Sequence, residues 1–187
     1  MTQTTSPTAP SPAYPNALAP DRAARWVTLV LRLAVAYLWF NNLEWKVPPD
    51  FGQADRSGLW IFTHGAIEHP VLPAYSALVE SLIIPHFVPF AWGVFLAEIA
   101  LTVFLALGLF TRGWALIGAA QSFVIFLTVG AQPHEWRWSY FLMIIAHLAL
   151  FALAAGRFAG LDAWLRRRAR GLQRRPGGVL RLLLLGT

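Results

Sequence analysis

The 187-residue chain has no cysteine. It therefore carries no disulfide, no thiolate nucleophile, no thiolate metal site and no iron–sulfur ligation of its own. Charge is scarce as well. Asp, Glu, Lys and Arg make up 13% of the residues, about half the ~25% usual in soluble domains. The first twenty residues contain no basic residue, which rules out the charged start of a cleavable signal peptide. What fills the chain instead is apolar and aromatic: 57% hydrophobic residues, with nine Trp and thirteen Phe. The net charge of +6 would suggest nucleic acid if taken alone. Its placement argues otherwise, since seven of the fifteen Lys and Arg fall after residue 165 and most others flank apolar runs. No nucleic-acid motif is present.

Residues 1–20, rich in Pro, Ser, Thr and Ala, have too little apolar surface to offset ordering entropy and read as a disordered tail. Four apolar spans follow, at about residues 25–45, 88–110, 112–130 and 138–156. Each is close to the ~20 residues that a ~30 Å hydrocarbon layer requires. Period-two alternation is missing, so the spans are helices rather than barrel strands. The expected fold is an all-α integral membrane protein, a four-helix transmembrane bundle over residues 21–162. A basic tail follows at 163–187. With the N-terminus inside, eleven arginines lie on the cytoplasmic side and only Lys46, Arg56 and Arg137 on the other. That asymmetry places both termini in the cytoplasm and the chain in the plasma (inner) membrane. The long connection from Lys46 to Phe87 has helical apolar spacing over about 66–84, predicting one amphipathic interfacial helix near Val71–Ile84.

Ionisable groups inside a bilayer are the informative ones. At ~1.5 Å per residue from the cytoplasmic boundary, Arg32 lies ~11 Å deep, Gln121 and His147 ~14 Å, and Glu98 ~18 Å. One residue from each helix thus falls near a common depth, predicting an Arg32–Glu98 ion pair with His147 and Gln121 hydrogen-bonded around it. Arg32 could alternatively snorkel toward the cytoplasmic end. Such a layer either fixes helix register or serves as a quinone head-group site or proton path, with Glu98, His147 and Arg32 as catalytic candidates. Asn41, Asn42, Trp45 and Lys46, at the outer end of the first span, could hold a planar polar head group together with Gln121. Pro48-Pro49 would stop that helix. Haem is disfavoured because only His147 lies deep in a span. The loop histidines His64, His69, His86 and His134 lack metal-site spacing, so no metal is expected. No inverted repeat suggests a transporter. The arginines from Arg166 to Arg181 would anchor the tail, bind anionic lipid or dock a soluble partner.

Three segments carry a family likeness. The first is Leu31-Arg32-Leu33 followed by Trp39-Phe-Asn-Asn-Leu-Glu-Trp-Lys46. The second is Ala97-Glu98 leading into Gly108-Leu-Phe-Thr-Arg-Gly113. The third is Ala155-Gly-Arg-Phe-Ala-Gly-Leu-Asp162. In this order and spacing, over about Arg25 to Asp162, the chain resembles the DoxX/DoxD family of small four-helix membrane proteins. That family includes a membrane subunit of thiosulfate:quinone oxidoreductase. The long segment containing Pro48-Pro49-Asp50-Phe51-Gly52 resembles its DoxD-like branch. The resemblance implies a membrane subunit of a redox system, with quinone as the candidate substrate and a soluble or membrane redox partner or a homo-oligomer. It carries Arg32 and Glu98 over as the family's intramembrane charged positions. The competing reading is a non-catalytic assembly or lipid-binding subunit.

Overall fold

The computed structural model describes residues 22–171, and side chains through Arg168. The expected tail at 1–20 and the end of the chain from 172 onward lie outside the described residues. Among the described residues there is no strand. Three of the described helices are long and apolar enough to cross a membrane: α1 (Arg22–Asn41), the continuous helical run Pro73–Leu107, and α5 (Thr111–Val129). A further apolar helix, α6 (Arg137–Leu153), is shorter. Helix α2 (Gly58–Glu68) precedes the long run. That run begins as α3 (Pro73–Leu78), passes through a π-turn at Val79–Ile83 and a 3₁₀ turn at Ile84–His86, and becomes α4 (Phe87–Leu107). Helix α7 (Leu161–Gly171) closes the described chain.

The helices are amphipathic in the sense lipid demands. On α1, Val27, Val30, Leu33, Tyr37 and Phe40 are exposed, while Thr28, Arg32, Val35, Ala36 and Trp39 are buried. Both sets recur at helical spacing, so apolar side chains face outward and the only charged group of the helix interior faces in. The closest pairings are α1 with α4 and α5 with α6, and α2 lies against α5. Val35, Trp39, Leu101, Leu105, Ala115 and Leu150 form the central core, and Phe51, Leu59, Phe87 and Ala91 form a second cluster near the α1–α2 connection.

Two features differ from the sequence expectation. The Lys46–Phe87 connection holds two helical elements, not one. Its second runs directly into α4, because the π-turn and the 3₁₀ turn absorb Pro85 without ending the helix. Helix α1 ends at Asn41, several residues ahead of Pro48-Pro49. It tightens into turns in which Leu43 N–H bonds Phe40 O and Lys46 N–H bonds Leu43 O. The chain thus curls back over its own helix end.

At the opposite end, Gly108 at φ 64 turns α4 into α5. Asp162 closes this hairpin. Its backbone N–H donates to Gly108 O at 2.9 Å, and its carboxylate accepts from Phe110 N at 2.7 Å and Thr111 N at 3.0 Å. A carboxylate there satisfies orphan donors and meets the positive end of the α5 dipole. The Gly-Arg-Phe-Ala-Gly-Leu-Asp segment therefore locks α7 onto the α4–α5 hairpin.

Candidate functional site

The curled end of α1 delivers Lys46 to Glu98 of α4. Lys46 Nζ donates to Glu98 Oε2 at 2.7 Å, and neither side chain reaches solvent, at 2% and 0% exposure. The same ammonium donates to Asn42 O at 2.7 Å, satisfying a carbonyl left open by the helix end. Asn42 Nδ2 donates to Glu98 Oε1 at 3.2 Å, and the Gln121 side chain also hydrogen-bonds that carboxyl group. Trp45 Nε1 donates to Asn42 Oδ1 at 3.2 Å, and the Lys46 ammonium sits 4.1 Å from the Trp45 ring centre. Burial pushes the Lys46 ammonium below lysine's usual range, opposed by the attraction of Glu98.

This pair lines a cleft of about 250 Å³ between the turns after α1 and helices α2, α4, α5 and α6. Asn42, Trp45, Lys46, Glu98 and Gln121 form its polar wall, and Phe62, Phe90, Val94 and Val124 its apolar one. Glu135 and Tyr140, whose side chains bond to each other, also line it. A neighbouring groove of about 600 Å³ runs between α1, α5 and α6, past Leu38, Asn41, Met143 and Ala146. Asn42, Trp45, Ile125 and Tyr140 line both spaces. The arrangement suits a planar, partly polar molecule. It offers hydrogen-bond donors and a carboxyl group on one wall, aromatic and branched side chains on the other, and a lateral apolar groove alongside.

Four groups expected in one layer are distributed over three places. Glu98 and Gln121 are together, but Arg32 is not with them. Asn42, which does reach Glu98, stands ten positions after Arg32, just past the end of α1, or ~15 Å away. Arg32 instead reaches away from Glu98, and its Nη2 donates to Ala159 O at 3.2 Å. The expected Arg32–Glu98 ion pair is replaced by Lys46–Glu98, and Arg32 points toward the Gly108 end but stays buried there, so it does not snorkel to water. His147 sits between these two sites. Its Nε2 accepts from Trp39 Nε1 at 2.9 Å, and its Nδ1 lies 2.7 Å from Met143 O. The Trp39 bond makes Nε2 the acceptor, so Nδ1 carries the proton. Both ring nitrogens are thereby engaged within the protein. The slot for the ring exists because residue 118 is Gly, where a Cβ would overlap His147.

Trp39→Phe should accordingly leave the buried His147 Nε2 without a donor. We expect a stability loss of about 1–3 kcal/mol, read as a lower melting temperature of the purified chain. Unchanged melting would mean that the imidazole finds another partner. Asn41 lies exposed on the groove side, and Trp45 stands at the junction of groove and cleft. Sequence reasoning grouped Lys46 with the head-group residues and missed that it is the counter-ion of Glu98. The available signal was the i, i+4 spacing of Asn42 and Lys46 just past a helix end. Asp162 was also missed as the hairpin lock.

Comparison with known proteins adds one finding. The family model described as TQO small subunit DoxD matches residues 27–180. No curated protein and no solved structure gives a match.

Proposed function

Because the chain belongs to the DoxD family, a multi-pass membrane protein by its apolar helices, we propose that it is the membrane subunit of a quinone-linked oxidoreductase. The quinone head group is taken into the cleft beside Trp45. The observation that carries this reading is the buried Lys46–Glu98 pair in the lining of that cleft. A charge pair withdrawn from water is costly and is a weak source of stability. Placed in an apolar cleft of head-group size, it has a chemical use.

Reduction of a quinone to a quinol consumes two electrons and two protons. The electrons come from the donor-oxidising partner subunit, since this chain offers no thiol. Lys46 Nζ donates to a quinone carbonyl oxygen, and that bond strengthens as negative charge develops there. Glu98 takes up each of the two protons from water in turn and passes it to a quinone oxygen, and Asn42 and Gln121 hold its carboxyl group in place. Trp45 covers the ring plane, and the α1–α5–α6 groove takes the apolar remainder of the substrate.

In the same reading, α6 is the fourth span, with Trp136 and Trp138 at one interface. The Gly108 hairpin, α7 and both termini face the cytoplasm of the plasma membrane, and Lys46 lies toward the outer face. The internally engaged Trp39–His147 and Arg32–Ala159 contacts favour a structural role for those two polar groups. Quinone reduction by the assembled complex carrying Glu98→Gln tests the proposal. Loss of turnover with assembly intact supports it, and full turnover overturns it.

A further inference from the structure

Charge is segregated along the molecule. Around the Gly108 hairpin the described residues place Arg22, Arg25, Arg32 and Arg112, together with Arg157 and Arg166 to Arg168. The only described acid at this end is Asp162, which is fully buried, and both its oxygens accept the α5 N–H groups. It caps the N-terminus of α5. All other described acids lie in the remaining, Lys46-bearing part of the fold.

Two adjoining grooves open among these arginines, and Arg157 and Phe158 line both. One, of about 590 Å³, is walled by Arg157, Arg166 and Arg167 with Phe158, Ala159 and Ala163. The other, of about 470 Å³, runs past Arg25, Thr28, Leu153 and Ala154. The Phe158 ring meets the exposed Trp26 edge-on at 5.4 Å, and Trp164, half exposed, lies under Arg168 at 5.2 Å. The chemistry is therefore mixed: guanidinium groups beside apolar walls, with tryptophans at the level where helices leave the apolar zone. A small inorganic anion would use only the guanidiniums. A phospholipid uses both, placing its phosphate against the arginines and its glycerol and first acyl carbons along Phe158, Leu153 and Ala163.

We propose that the Arg25–Arg157–Arg166–Arg167 grooves are a binding site for the head group of an anionic phospholipid. This site is separate from the Glu98 cleft, and it stands whether or not quinone is the substrate there. Lipid at this position bridges α1, the α6–α7 connection and α7, holding the basic helix against the bundle.

The test is thermal unfolding of the full-length chain in uncharged detergent. It is titrated with phosphatidylglycerol, with phosphatidylcholine, and with inorganic phosphate at matched ionic strength. Phosphatidylglycerol should raise the melting temperature saturably, and the other two should not. Replacing Arg157, Arg166 and Arg167 by Gln should weaken the apparent affinity by about fivefold per arginine. If the triple variant does not fold, Arg167→Gln, at an exposed position, should still show its single fivefold loss. An equal response to phosphatidylcholine or inorganic phosphate overturns the proposal, as does unchanged affinity in the variants. So does an acidic partner retained at these arginines when the isolated chain ignores phosphatidylglycerol.

Discussion

In the assembled complex, Glu98→Gln will lower quinone reduction by about 10²- to 10⁴-fold, the range for removing a positioned proton donor. The substitution keeps the shape of the side chain and, with its oxygen toward Asn42, that bond, but it turns an amide NH2 toward the Lys46 ammonium. It removes the group proposed to pass the protons and leaves Lys46 without its counter-ion. Lys46→Met breaks the same pair from the other side. It strands the enclosed Glu98 carboxylate, and breaking a buried pair from either side costs about 3–5 kcal/mol. We therefore expect a loss of stability from each single change. Combining Glu98→Gln with Lys46→Met removes both charges while filling the same volume. Stability should return to near the wild-type value, because neutral replacement of a buried pair is often harmless. Turnover should not return. Assembly followed by size-exclusion chromatography, beside quinone reduction, separates the two outcomes. A stable double variant that still reduces quinone would make the pair a structural device.

The second large effect is predicted at Gly108. The backbone there has φ 64, and a Cβ would fall on the Arg32 guanidinium and close against Gly160. Gly108→Val should cost about 1–2 kcal/mol for the left-handed backbone. A further ~1–3 kcal/mol follows from overpacking at Arg32. Both act on the hairpin that Asp162 locks. The expected result is loss of the monodisperse folded chain on extraction. Gly93→Ala is the control, since a Cβ there meets nothing within 4 Å. It should behave as wild type or slightly better. Equal recovery of the two variants would contradict the account of the hairpin.

Three of the four expected apolar spans were legible because lipid imposes a length and a composition that sequence cannot disguise. Their ends were less so: α1 was expected to reach residue 45, yet it stops at Asn41. Helix α2 was hidden for a physical reason. Its buried face is Leu59, Thr63 and Ala66, so small and polar residues carry contacts that periodicity assigns to large apolar ones. The Glu98 site was half visible. Counting depth along straight helices singled out Glu98 and Gln121 correctly as neighbours but gave Glu98 the wrong cation. No linear count registers a chain that folds back past its helix end, which is how Lys46 arrives. The family likeness contained Lys46, Glu98 and Asp162 in its three segments. Their roles became readable only with the hydrogen bonds in view.

The most direct measurement of the central claim is where a quinone sits. A photoreactive quinone analogue cross-linked to the assembled complex, with the labelled peptides sequenced, should mark the segments around Asn42–Lys46, Gln121–Val129 and Glu135–Tyr140. Excess unlabelled quinone should protect all three. Specific labelling confined to other parts of this chain, or to a partner subunit alone, would contradict the assignment of the Glu98 cleft as the quinone site.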